Sequence, residues 1–403
     1  MATIIPSMSI SQIRTLATST IAAFSSEDVN ALSSAQIGAM SSKQISAFQT
    51  DDLDSLSSSQ LRAVSAAAVR GLTMDQLAVI DSAKMIGLQS GQLGALSSAQ
   101  IAALSADQFN ALSTSQLNAL TSVALAGLGT EDMATLTSTE LSVLSTRALA
   151  GLSPANFAAL TSIQLSGLSS AQIASLPTAV VAGLTTSQID GLSALQVSGL
   201  TSRQISVLTT DKLASFGTDQ IVGLRSSAIA ALSSAQVAAL STQQIDVLTT
   251  GQLAAFTSAA IQGLGTDDID VLSAEDVAAI ATRSLAGLSV DVFASLGSAQ
   301  LTSLTSAKIA ALTTAQIASL TSDQVDSLAP AQLAGLSSAQ VNALNSGTLL
   351  SLSTLQISGL TTRVIAMLGS AKIAALDSAQ VAALSTVQLA ALSSSGVAGL
   401  GND

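Results

Sequence analysis

Acidic residues are the side chains of this sequence best equipped for chemistry, and they come in close pairs. Glu27-Asp28, Asp51-Asp52 with Asp54, Glu131-Asp132, Asp267-Asp268 with Asp270, and Glu275-Asp276 are the clusters. Paired carboxylates can ligate Ca²⁺ or divide acid and base roles between them. The rest of the inventory narrows the field: the 403 residues include no His and no Cys. That removes Ser-His and Cys-His nucleophiles, imidazole and thiolate metal sites, and any disulfide framework. An enzyme built from this chain would have only carboxylates, Lys, Ser and Thr to work with.

The carboxylate pairs have a simpler explanation once the pattern around them is seen. Every eighth residue from Met8 is apolar: Leu16, Phe24, Leu32, Met40, Phe48, Leu56, Val64, Leu72 and on to Leu384, Leu392 and Leu400. Three residues earlier stands a second apolar residue, as at Ile5, Ile13, Ile21, Val29, Ile37 and Ile45, continuing to Val381, Leu389 and Val397. The register never slips, and roughly 50 octads follow one another without an insertion. Counting from the residue after each Leu, the first slot is usually Ser or Thr, the fourth Gln, the fifth Ile, the seventh Ala or Gly and the eighth Leu.

Ser or Thr followed three residues later by Gln, Glu or Asp is a capping box, in which hydroxyl and side-chain acceptor each satisfy a free amide of a helix start. The preceding Leu and the following Ile then hold the two positions of a hydrophobic staple. Each octad therefore carries its own helix-start signal, and the Gly or Ala at the seventh slot is expected to let the backbone leave helical geometry. The acidic pairs fall in the third and fourth slots. There negative charge favours the first turn of a helix and can replace the capping Gln, so they are read as caps and no metal site is assigned.

Two rival folds fail on period. A single helix about 600 Å long would turn its apolar stripe by about 80° per octad and expose it in every direction. A β-solenoid needs alternation of period two, whereas the apolar spacing is three, then five. The expected fold is all-α: a tightly wound α-solenoid of about fifty short capped helices. Leu and Ile should fill its interior, with small seventh-slot residues allowing close approach between turns. Helices this short do not persist alone, so stacking must hold them. Composition is uniform, which predicts one continuous solenoid over 1–403 without distinct capping domains.

The same composition limits partners. A formal charge of -12, from 25 acidic and 13 basic residues scattered singly, opposes binding to nucleic acid or to anionic membranes. Arg203, Arg225, Lys308 and Lys372 are expected as isolated outward charges. All seven Phe, including Phe24, Phe109, Phe216 and Phe293, hold staple slots and should be core. No run of 18 apolar residues could span a bilayer, and no basic region followed by an apolar stretch opens the chain as a cleavable secretory leader would. No cofactor, metal or small-molecule substrate is indicated.

The tracts Leu96-Ser97-Ser98-Ala99-Gln100-Ile101-Ala102-Ala103-Leu104 and Leu312-Thr313-Thr314-Ala315-Gln316-Ile317-Ala318-Ser319-Leu320 resemble octad arrays of large bacterial secreted or cell-surface proteins of adhesin-like or haem-utilisation type. The resemblance implies an extracellular or cell-surface setting reached without a cleavable N-terminal signal. Haem chemistry finds no support, because His, Tyr and Cys are absent. Gly401-Asn402-Asp403 is similar to the Gly-Asn-Asp of calcium-binding nonapeptide tracts in type I-secreted proteins, but it stands once.

Apolar slots are already occupied at Ile5 and Met8 and still at Val397 and Leu400, so neither end shows the polar cap usual in solenoids. Only 9% of residues are charged and mean hydropathy is positive, which suits lateral packing of copies. The expectation is a non-enzymatic structural protein that assembles head to tail with itself into an extracellular fibre or matrix filament. The alternative is a monomeric spacer or adhesive stalk segment of a larger bacterial surface protein.

Overall fold

A computed structural model describes residues 4–400. The described residues contain 47 α-helices of four to six residues each, three 3-10 turns, and no strand. The all-α solenoid expected from the octads is what the chain forms. It divides into two compact units, one of residues up to Leu200 and one from Thr201 on.

One octad shows how each helix begins and ends. Ser97 is extended (φ -78°, ψ 166°), and its hydroxyl accepts from the Gln100 amide at 3.3 Å. The Gln100 Oε1 in turn accepts from the Ser97 amide at 2.9 Å. The helix Ser98–Ala102 follows, and Leu104 closes it by donating its amide to Ile101 at 3.1 Å. The predicted capping box is therefore present, and it recurs in both units, for example at Thr185 with Gln188 and at Thr321 with Gln324.

Helix exit differs from the expectation. None of the described residues has a positive φ, glycine included. Ala103 in the seventh slot stays near helical values (φ -87°, ψ -9°), and the turn is made at the eighth-slot residue, as at Leu136 (φ -63°, ψ 135°). The small seventh slot serves packing instead. A Cβ added to Gly127 would lie 2.0 Å from the Ser98 carbonyl oxygen, and one added to Gly263 would lie 2.1 Å from that of Ser234. The seventh slot is small because the backbone of the neighbouring coil passes against it.

Within each unit the helix of one octad packs on the third helix beyond it, as Ser34–Gly38 does on Ser58–Ala63 and Thr314–Ala318 does on Ser338–Ala343. Hydrogen bonds between successive coils join residues 25 to 31 apart, so three to four octads complete a turn. Fifth- and eighth-slot side chains point inward and are buried almost throughout, Ile101, Phe109, Phe157, Phe256 and Phe293 among the most completely. Phe24, in the first coil, is only half-buried. Apolar burial of this kind is what holds helices of one turn in place.

Candidate functional site

The acidic clusters lie where the capping argument put them. Asp132 accepts from the Gly129 amide at 3.1 Å, Asp268 from the Gly265 amide at 2.8 Å, and Asp276 from the Ser273 amide at 3.1 Å. Asp52 is buried and accepts from the Gln49 amide at 3.1 Å, while its neighbour Asp51 is exposed. Asp54 instead pairs with Lys84 at 3.2 Å. Among the described residues no group of three acidic side chains could hold a metal ion. Gly401-Asn402-Asp403 lies outside them. Asp268 has its carboxyl pushed above the usual range by burial, an effect opposed by the Gly265 amide and reinforced by the charge of Asp267.

The fourth slot does more than cap. While Oε1 of each Gln closes its own capping box, Nε2 reaches back across the groove between coils. Gln172 donates to the carbonyls of Leu141 and Leu144 at 3.1 and 2.8 Å, and Gln316 to those of Leu285 and Leu288 at 2.9 and 3.0 Å. The acceptors are the fifth- and eighth-slot residues 31 and 28 positions earlier. Repeated octad by octad, this makes a ladder of buried amides stitching each coil to the one before. Gln204, Gln244 and Gln316 are each at most 3% exposed. A net hydrogen bond contributes about 1 kcal/mol, and leaving such a buried donor or acceptor unpaired costs about 1–3 kcal/mol.

This ladder is the feature that capping logic alone does not find, although its signal stands in the sequence. A capping box accepts Glu as readily as Gln, yet Glu fills the fourth slot only once, at Glu140, while Glu27, Glu131 and Glu275 stand one slot earlier. A slot that wants Gln and avoids Glu requires a donor as well as an acceptor.

The same geometry corrects the expected placement of two lysines. Arg203 and Arg225 are exposed, but Lys308 and Lys372 occupy fourth slots and are half-buried. Lys308 donates to the Ala278 carbonyl, and Lys372 to those of Val341 and Leu344. Each stands in for the Gln of the ladder. Burial lowers both below the usual lysine range.

Outward character is concentrated in the third slot. Glu27, Asp51, Asp75, Asp107, Glu131 and Asp267 occupy it, as do Arg147, Arg203, Arg283 and Arg363. So do exposed apolar residues, Ile163 (78%) and Leu195 (71%) in the first unit and Leu355 (67%) and Val387 (65%) in the second. An open groove of about 710 Å³ crosses successive coils of the first unit and is lined by Gly94, Ala119, Val123, Arg70 and Arg147 among others. Its two guanidiniums are its only charged lining, set among Ser, Thr, Asn, Gln and apolar residues. No helix of the described residues is long and apolar enough to cross a membrane.

Comparison with known sequences agrees that the chain is built of repeats. No curated protein matches the chain. The ALTTAQ repeat matches residues 5–42, 45–82, 85–122, 213–250, 245–282, 293–330 and 373–403, more than half of the sequence. The hexapeptide of that name stands intact at Ala311-Leu312-Thr313-Thr314-Ala315-Gln316, where it runs from the seventh slot of one octad to the ladder glutamine of the next. The chain belongs to the ALTTAQ repeat family.

Proposed function

We propose that this repeat protein is a non-enzymatic structural element whose function is self-association, with copies stacking head to tail into an extracellular fibre or matrix filament. The supporting observation is the complementarity of its first and last coils. In the last coil, slots that are buried elsewhere open to solvent: Leu389 is 39% and Val397 52% exposed. In the first described coil, Gln12 holds a ladder slot and its capping box is made, and its Nε2 has no hydrogen-bond partner among the described residues. A free amide donor on one face and opened apolar slots on the other are what a heterologous, non-closing contact can use. Third-slot residues such as Ile163 and Leu355 add apolar surface for lateral packing. The extracellular setting rests on the resemblance of the octad tracts to those of secreted and surface proteins.

A second reading uses the same two faces. In a stalk or spacer of a larger surface protein, further octads or flanking domains would cover them, and the 403-residue chain would stay monomeric. Electron microscopy of the purified chain over a range of concentrations separates the two. Uniform fibres that lengthen with concentration support self-assembly; particles of one chain that stay apart at every concentration overturn it and leave the stalk.

A further inference from the structure

The amide ladder is interrupted, and its interruptions are not scattered evenly. Most are single. Asp52 stands between Gln44 and Gln60, Val180 between Gln172 and Gln188, and Thr348 between Gln340 and Gln356. In each case the flanking glutamines still hold the coil to its predecessor.

Two interruptions are a full turn long. In the first unit the fourth slots of four successive octads are Ala124, Asp132, Glu140 and Ala148. None of them can donate from its side chain at neutral pH, and among the described residues the carbonyls of Leu96, Leu104, Leu112 and Leu120 receive no side-chain donor. In the second unit the run is Ala260, Asp268, Asp276, Ser284 and Val292. There only Ser284 reaches back, donating to the Phe256 carbonyl at 2.6 Å. Both runs have Ala first and two acids next, so each sets carboxylates on the side of the seam where neighbouring coils set amides. Side-chain hydrogen bonding across the first seam is reduced to one outer contact, Thr135 to Asn110 at 2.7 Å. The ladder resumes on the far side of each, at Asn156 on Leu128 (2.8 Å) and at Gln300 on Ile269 and Leu272 (2.8 and 2.7 Å).

We infer that residues 124–148 and 260–292 form two built-in yield points, one in each unit, where a coil parts from its predecessor before any other pair of coils does. In a solenoid each coil is held only by its neighbours, so the weakest interface sets where it opens. Apolar packing continues across both seams, so the coil is closed at rest; what is missing is the directional bonding that resists sliding and separation. Under load, or in mild denaturant, the chain therefore gives way at two chosen places.

Hydrogen exchange of the full 403-residue chain, read by peptide mass spectrometry at neutral pH, tests this whether copies assemble or not. Peptides within 93–149 and 229–292 are expected to lose protection together and to be at least about tenfold less protected than those within 316–340, where four consecutive fourth slots are Gln. The double substitution Asp132→Gln and Glu140→Gln should raise protection across 93–149 and leave 229–292 unchanged; Asp268→Gln with Asp276→Gln should do the converse. Uniform protection along the wild-type chain, or paired substitutions that leave their own seam unchanged, would overturn the inference.

Discussion

Glutamine in the fourth slot uses both halves of its amide, one within its octad and one across to the next coil, so its loss and its imitation have unequal costs. Replacing Gln316 by Leu leaves the Thr313 amide and the Leu285 and Leu288 carbonyls short of partners, and should destabilise the second unit by about 2–4 kcal/mol in denaturant unfolding. Thr348 is the contrasting case, because its buried hydroxyl has no hydrogen-bond partner. Thr348→Val keeps the shape and removes the orphan oxygen, and should stabilise by about 1 kcal/mol. Asp268 adds a pH dependence. Its folded-state carboxyl titrates above the ordinary range, so the native state binds more protons than the unfolded chain there, and stability falls as pH rises from the ordinary carboxylate range through the raised value. Asp268→Asn should flatten that slope in thermal melts taken across the acidic range, and an unchanged slope would assign it to other groups. At this scale the sequence was partly legible: the capping role of Ser, Gln and the acids followed from spacing alone. The second role of Gln did not, because its acceptors lie 28 and 31 residues away and that distance depends on how many octads make a turn.

Helices of four to six residues would melt in isolation, and their boundaries were readable because each octad repeats one start signal. Their exits were misjudged for a physical reason. A seventh-slot Gly suggests a left-handed cap, but the chain turns through an extended Leu, and the Gly is there for what passes beside it. Two substitutions separate these roles. Gly127→Ala places a methyl 2.0 Å from the Ser98 carbonyl and should cost about 1–3 kcal/mol. Gly91→Ala, within the helix Ser90–Leu93 and with nothing within 4 Å of the new methyl, should gain about 0.4–1 kcal/mol. If both lowered thermal stability equally, the close-approach explanation would fail and backbone freedom would be the better one.

Across the molecule, stability is a sum over like interfaces, so register matters more than the identity of any one octad. Removing residues 313–320, one whole octad, shifts each downstream glutamine onto the carbonyls of an equivalent octad and should leave helix content per residue unchanged by circular dichroism. Removing only 313–316 puts polar slots where Ile and Leu belong and should unfold the coil around the cut. The fold class was legible because the period is strict. The coil pitch and the two ladder breaks emerge only when octads distant in sequence are set side by side.

The direction of the ladder carries a last consequence. Among the described residues the fourth-slot glutamines that cross between coils donate to residues made earlier. A chain lengthening from its amino end therefore presents each new turn to a finished edge whose oxygens are already in position, and growth resembles the laying of courses on a wall. A chain delivered in the opposite order would meet donors before acceptors, and each turn would have to wait for the one beneath it.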